Sequence, residues 1–537
     1  MKRTSTSVIT VDRLYEDIDR RLRELDKSRN ALRVSRRIVD RALTDGNAYY
    51  GINTGFGALA QNRIDSADLS RLQANLLLSH AVGVGEPVPF EISRLMLQLK
   101  LCTLGLGYSG VSMPVFERLL YFSKNNMVPV IPSRGSLGAS GDLAPLAHMS
   151  LPLIGEGFFW DVGNSDGSGS SDGDGNSDGD GNSDGNGNRN RNRNRNRAQI
   201  PAAELLKAHN LEPIQLQPKD GLALINGTQL MSAYGAWVLN RSNHLLRMAD
   251  LIAAMSLEAL QGSIVPFDER IHQLRPHPGQ LEVAKNVRNL LVDSEIMENH
   301  RHCGKVQDPY CLRCVPQVHG ASRDALCYGK QVVSTELNSV NDNPLVLKNG
   351  DIVSGGNFHG QPLALALDHA AVALSELGSI SERRTYLLLE GHDGLPKLLM
   401  QETGINSGFM IPQYTAASLV SENKILSHPA SVDSIPTSLG QEDHVSMGSI
   451  SALKLLQVFE NVEMILAIEL LTAAQALDFR KPLKPGRGVL SAHDYLRSVI
   501  PHMDVDRYMR NEIDQGIAML RNHEMINRVE ALCRKLN

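Results

Sequence analysis

The run SMGSISALKLLQVFENVEMILAIELLTAAQALDF, residues 446–479, is rich in Ala, Leu, Met and Glu and has few internal breakers. Such side chains lose little freedom in a helix, so the run predicts one long helix. Two further stretches read alike, Leu222 to Leu260 and Pro362 to Leu389. Helices of this length and apolar content bury their faces against one another, which predicts a mainly α architecture built as a long-helix bundle. Upstream, Leu69, Leu72, Leu76, Ser79 and Gly83 recur at three and four residues after Asp68, the pattern of an amphipathic helix with Asp68 as its cap. Strand alternation is scarce. Gly-rich loops punctuate the beginning of the chain, notably YGINTGFG at 50–57, so the expected organisation is a smaller loop-rich N-terminal region, 1–112, and a helical body, 113–537.

Composition narrows the functional classes. The chain has 537 residues, 42% hydrophobic and 21% charged, enough for an extensive core. A net charge of -5 gives no electrostatic case for nucleic acid or an anionic membrane. Met1-Lys2-Arg3 is followed by Thr4-Ser5-Thr6-Ser7 and the acidic Asp12 to Asp19 stretch instead of an apolar signal core, and no later run is expected to span a membrane. A cytoplasmic location is the expectation. Six cysteines in so long a chain make no disulfide scaffold. His302, Cys303, Cys311, Cys314, His319 and Cys327 include a Cys-x-x-Cys pair, but the second pair lacks zinc-ribbon spacing, so free thiols and no metal are expected.

One segment has nothing to bury. Residues 163–197 repeat Ser, Asp, Gly and Asn, then alternate Asn with Arg from Arg189 to Arg197, which predicts a disordered insertion. A calcium loop would need a bidentate Glu at its twelfth position and flanking helices, and the acidic and basic halves can neutralise each other.

The chemistry centres on Gly135-Ser-Leu-Gly-Ala-Ser-Gly-Asp-Leu-Ala-Pro-Leu146. No Gly-Lys-Ser/Thr ending follows and no hydrophobic strand precedes it, which sets a phosphate loop aside. Attack of the Gly141 nitrogen on the Ala139 carbonyl, with loss of two waters, would convert Ala139-Ser140-Gly141 into 4-methylideneimidazole-5-one (MIO). This ring carries an electron-poor methylene derived from Ser140 and needs no external cofactor. Small residues suit the closure, and Asp142 stands where a helix cap is expected.

The whole string resembles the signature of the aromatic amino acid lyase family, which comprises histidine, phenylalanine and tyrosine ammonia-lyases and related aminomutases. The resemblance runs from about Leu14 to Arg521 apart from the insertion, and it implies a histidase/fumarase-like helical fold and a homotetramer with sites built from several subunits. It implies that Tyr50 is a general base for the substrate β-proton, provided that the surroundings stabilise a phenolate. Asn226, in Leu224-Ile-Asn-Gly-Thr228, matches the family asparagine beside the electrophile. Gln307, Tyr310 and Arg313, in QDPYCLR, match the substrate-binding segment, with Arg313 on the α-carboxylate. Phe358 matches the aromatic near the electrophile, and Met410 a side-chain pocket position.

Substrate choice turns on two places. Ser79-His80 is similar to histidine lyases, although some tyrosine aminomutases share the pair. Gln441-Glu442-Asp443-His444 also resembles histidine lyases, with Glu442 facing an imidazole, where the phenylalanine and tyrosine enzymes resemble Asn-Gln-Asp-Val. A carboxylate can bond an imidazole, whereas burying it against a bare phenyl ring costs several kcal/mol. The resemblance thus implies ammonia elimination from L-histidine to trans-urocanate. A tyrosine or phenylalanine ammonia-lyase or aminomutase is the alternative, since Pro412-Gln-Tyr-Thr415 and Gly360-Gln-Pro362 look more like those enzymes. A non-catalytic helical scaffold with a binding insertion is a remote third reading.

Overall fold

A computed structural model describes residues 7–55, 63–162, 197–300 and 306–536. Its centre is the helix Gly448–Asp478, which packs against Gln229–Ala259, Gln361–Leu389 and Met410–Leu426, while Val315–Glu336 closes the bundle against Gln361–Leu389. At about 1.5 Å per residue the two longest, Gln229–Ala259 and Gly448–Asp478, each run roughly 46 Å. The mainly α architecture expected from the sequence is the observed one. Strands are confined, among the described residues, to three short antiparallel pairs.

Two helix boundaries differ from expectation. The run from Leu222 to Leu260 is two helices, Asp220–Ile225 and Gln229–Ala259, broken at Asn226-Gly227-Thr228, where Gly227 takes φ +129°. The early helix is Leu69–His80 and stops short of Gly83, because the chain turns into the strand Val84–Pro87 against Pro132–Arg134. Asp68 makes no side-chain cap bond to that helix and instead pairs with Arg71 at 3.0 Å.

The bundle is aligned by a buried polar network. Arg384 and Glu469 are both fully buried and paired in a fork, with Nη2 donating to Oε2 at 2.9 Å, and Ser256 and Ser381 donate to the same carboxylate. Next to it, Asp250 accepts from His319 Nδ1 (2.9 Å), Arg323 (2.8 Å) and Asn286 (2.9 Å). These groups come from five helices, so a register slip of any one strands a buried charge.

The helix Gln361–Leu389 is long and apolar enough to cross a membrane by length and composition, contrary to the sequence expectation. It carries Arg384 and packs into the bundle, as a core helix does. The proposed insertion lies outside the described residues except for Arg197. Its flanks, Phe158–Trp160 and Gln199–Pro201, pair antiparallel, and Asp161 N–H donates to the Ala198 carbonyl.

Candidate active site

The tripeptide sits in a tight loop at one end of the bundle. Gly138, Ser140 and Gly141 all have positive φ (+89°, +50° and +81°), a conformation that costs a side-chain-bearing residue such as Ser140 and that the neighbouring glycines adopt freely. The loop is laced to remote segments. Asp142 N–H donates to the Gly227 carbonyl (2.8 Å), Gly227 N–H donates to the Ser140 carbonyl (3.4 Å), and Met447 N–H donates to the Leu137 carbonyl (2.9 Å). A Cβ on Gly141 would stand 2.6 Å from the Gly227 carbonyl carbon and 3.2 Å from the Phe358 oxygen. The bent tripeptide of small residues, gripped from both sides while Ala139 and Ser140 stay partly open, fits the ring that the sequence implies.

Asp142 behaves differently from its expected role. It stands at the start of Leu143–Ser150 but makes no cap bond there. Its buried carboxylate instead accepts from Leu230 N–H (2.9 Å) and Met231 N–H (3.1 Å), capping the long helix Gln229–Ala259. Burial pushes its pKa up to about 7 against these bonds. The starts of Leu143–Ser150, Gln229–Ala259, Gln361–Leu389 and Gly448–Asp478 all converge here, with Gly360 packed on Met231 and Ser446. Four helix N-termini make the loop a place that favours negative charge.

Several implied residues gather at this end. Asn226 is buried and donates from Nδ2 to the Asn343 carbonyl (2.7 Å) and to Asp342 (3.3 Å). His80 ends its helix with Nδ1 3.0 Å from Ser79 Oγ. Burial lowers the His80 pKa, opposed by its bond to Leu76 and by the charge of Glu442. Glu442 accepts from Thr437 Oγ1 at 2.9 Å, in the loop that leads to Met447. Phe358 lies over Gly141 through its backbone. Tyr50 is half-buried against the main core, on the loop whose Ile52 packs with Val346. Phe56 and Gly57 of that motif lie outside the described residues.

Gln307, Tyr310, Arg313 and Met410 do not join them. Glu336 bonds Thr228 at the tripeptide end, and the 22-residue helix Val315–Glu336 then carries Arg313 about 33 Å away. There Arg313 stacks on Tyr310, 4.5 Å from guanidinium carbon to ring centre, and Tyr310 is 69% exposed. Gln307 is exposed beside them. Met410 begins its helix next to Gln413, which bonds Glu382 some 21 residues into Gln361–Leu389, also roughly 30 Å from the tripeptide. One chain therefore holds the two halves of the implied site at opposite ends.

Sequence reading missed the buried polar floor under Asn226. Lys100 Nζ donates to the Asn226 carbonyl (2.6 Å), and Lys219 pairs with Asp342 (2.8 Å), all buried. Burial pushes the Lys100 amine down to about 7. The available signal was a lone Lys among Leu97, Leu99, Leu101 and Leu104. His359 was missed as well; its Nδ1 accepts from Gln361 N–H (3.3 Å), which leaves Nε2–H to donate to the His444 carbonyl (3.2 Å). His302 and Cys303 of the weighed zinc cluster lie outside the described residues, and the described cysteines are free thiols.

A helical bundle with helix N-termini converging around an Ala-Ser-Gly turn is the setting that the sequence resemblance implies for a carbon–nitrogen lyase. The sequence model described as "Aromatic amino acid lyase" matches residues 7–498, and the chain belongs to that family. It is 48% identical over 502 residues to a histidine ammonia-lyase of Myxococcus xanthus, covering 93% of this chain and 92% of that one. Among solved structures, it resembles histidine ammonia-lyase from Trypanosoma cruzi (39% identity, TM-score 0.81, 94% of this chain and 89% of that one). It also resembles a tyrosine aminomutase from Streptomyces globisporus (32% identity, TM-score 0.85, 99% of both chains).

Proposed function

We propose that this chain is a histidine ammonia-lyase, eliminating ammonia from L-histidine to give trans-urocanate with an MIO ring made from Ala139, Ser140 and Gly141. The observation that carries the reading is near full-length identity to histidine ammonia-lyases, and it is supported by a Glu442 whose charge reaches His80. Once formed from Ala139, Ser140 and Gly141, the ring would supply an electrophile toward the substrate amine. His80 and Glu442 hold the imidazole, Arg313 anchors the carboxylate with Gln307 beside it, Tyr310 stands with Tyr50 and Glu442 among the catalytic groups, and Met410 packs on the side chain. Tyr50 takes the β-proton. Asn226 fixes the electrophile's surroundings through its amide, and Phe358 covers the loop.

The roughly 30 Å between the halves supports a homotetramer in which Arg313 and Met410 reach the tripeptide of another copy. Exposed apolar side chains on the long helices fit that assembly: Tyr328, Leu365, Val372, Ile411, Tyr414 and Ile425. Residues 1–112 then act as the part bearing Tyr50, Ser79 and His80, and 113–537 as the lyase body, in the cytoplasm, with no metal and no nucleic acid.

The likeness to tyrosine aminomutase keeps a second reading in view. Incubation with histidine, tyrosine and phenylalanine in turn separates them: urocanate from histidine with no coumarate or cinnamate supports the proposal, and β-amino acids or the reverse product pattern overturn it. Intact mass supplies the other test, since the chain must lack two waters, localised to Ala139-Ser140-Gly141. Removing residues 163–197 distinguishes the scaffold reading, which expects no lyase activity before or after the deletion.

A further inference from the structure

Lys100 is a titratable donor with no place in the mechanism above, yet it is 1% exposed and directly behind the electrophile loop. Its amine donates not to a carboxylate but to the Asn226 carbonyl, at 2.6 Å. The same peptide unit ends in the Gly227 N–H, which donates to the Ser140 carbonyl. Asp142, Asp342 and Lys219 also face the amine, and Lys219 is already engaged by Asp342. Hydrogen bonds in series polarise one another, and more strongly in a buried setting.

We propose that Lys100 is a positioning residue for formation of the electrophile, acting through the Asn226–Gly227 peptide to polarise the Ser140 carbonyl. A polarised carbonyl makes the Ser140 Cα–H more acidic. In the dehydration of Ser140 that bond breaks, its electron pair forms the Cα=Cβ bond, the Cβ–Oγ bond breaks, and the proton and hydroxide leave as water. No oxidant or added reagent is required. Lys100 touches neither substrate nor the reacting atoms, and the inference rests on the lyase reading above.

The test is a time course of intact mass on the full-length protein after expression. Lys100→Met keeps the length and apolar stem of the side chain without the donor, and Ser140→Ala gives the mass of a chain that cannot dehydrate. In Lys100→Met, loss of the second water is expected to slow about tenfold, the usual effect of one charge-assisted bond, while the circular dichroism and oligomer size match the parent. Once matured, the variant should show a lower kcat with KM for histidine within about twofold. Lys100→Gln retains a shorter donor and should fall between the two; it is read in the same way if Lys100→Met does not fold. Complete two-water loss at the parent rate in the folded variant overturns the proposal. A parent chain that never loses two waters overturns the electrophile reading instead.

Discussion

Gly141→Ala is the substitution whose effect the structure sizes most directly. The added Cβ lies 2.6 Å from the Gly227 carbonyl carbon, against an ordinary carbon–carbon contact of about 3.5–4.0 Å. Neither side can yield cheaply, because the obstacle is backbone and Phe358 closes the other flank at 3.2 Å. Relief of the overlap costs about 1–3 kcal/mol, and separating the two segments weakens two hydrogen bonds between the tripeptide loop and Gly227 at about 0.5–1.5 kcal/mol each. Together these come to about 2–6 kcal/mol, which leaves at least about thirtyfold fewer chains with the turn bent for closure. Gly138→Ala is the matched control: its φ is also positive, so the strain of a left-handed alanine is common to both, but its Cβ meets chiefly the Ser446 hydroxyl, which can rotate. Adding Ser446→Ala should relieve Gly138→Ala and do nothing for Gly141→Ala. Intact mass of each purified protein reads the matured fraction, with histidine turnover as the second measure. Full two-water loss in Gly141→Ala at the rate of Gly138→Ala would refute the argument.

Four other outcomes are expected. Ser140→Ala and Arg313→Met chains are each inactive alone, but co-folded in equal amounts they recover about a quarter of parental turnover, the chance that a shared site draws one sound half from each; no recovery would place the whole site in one subunit. Glu442→Gln should lower kcat/KM for histidine about 10- to 100-fold, with the two-water loss in intact mass retained, through loss of a charge-assisted bond. Glu469→Gln leaves the fully buried Arg384 without its countercharge and should cost about 3–5 kcal/mol in urea unfolding, and a loss below about 1 kcal/mol would contradict it. Burial pushes Glu258 up to about 7, despite bonds from Ser294 and Gly486 N–H. A raised folded-state pKa contributes stability that is full below about pH 4.5 and lost as pH rises through about 7, so Glu258→Gln should flatten that decline across pH 5–8.

The long helices could be read from the chain because Ala, Leu, Met and Glu mark helix and core together, as in 361–389 and 448–478. The break at Asn226-Gly227-Thr228 could not, since apolar composition continues across it and the deciding contacts come from Ser140, Asp142 and Asn341. Asp142 shows the same limit: local rules assign its carboxylate to the adjoining helix, whereas folding gives it to one that starts 87 residues later. Motifs named the candidate residues but not their distribution. That Arg313 and the tripeptide face opposite ends follows only from the direction and length of Val315–Glu336, fixed by the bond between Glu336 and Thr228. Lys100 was hidden because a single Lys in an apolar helix reads as an exposed stem.

The contacts that bend the tripeptide arrive late in synthesis. Gly227, Phe358, Met447 and Ser449, whose hydroxyl donates to the Ser136 carbonyl at 2.6 Å, all lie downstream of it. A nascent chain shorter than that carries three inert residues. On the lyase reading proposed above, an electrophile that could otherwise trap any passing amine or thiol would be armed only when the bundle has been made and docked, and dehydration would double as a checkpoint on completed folding.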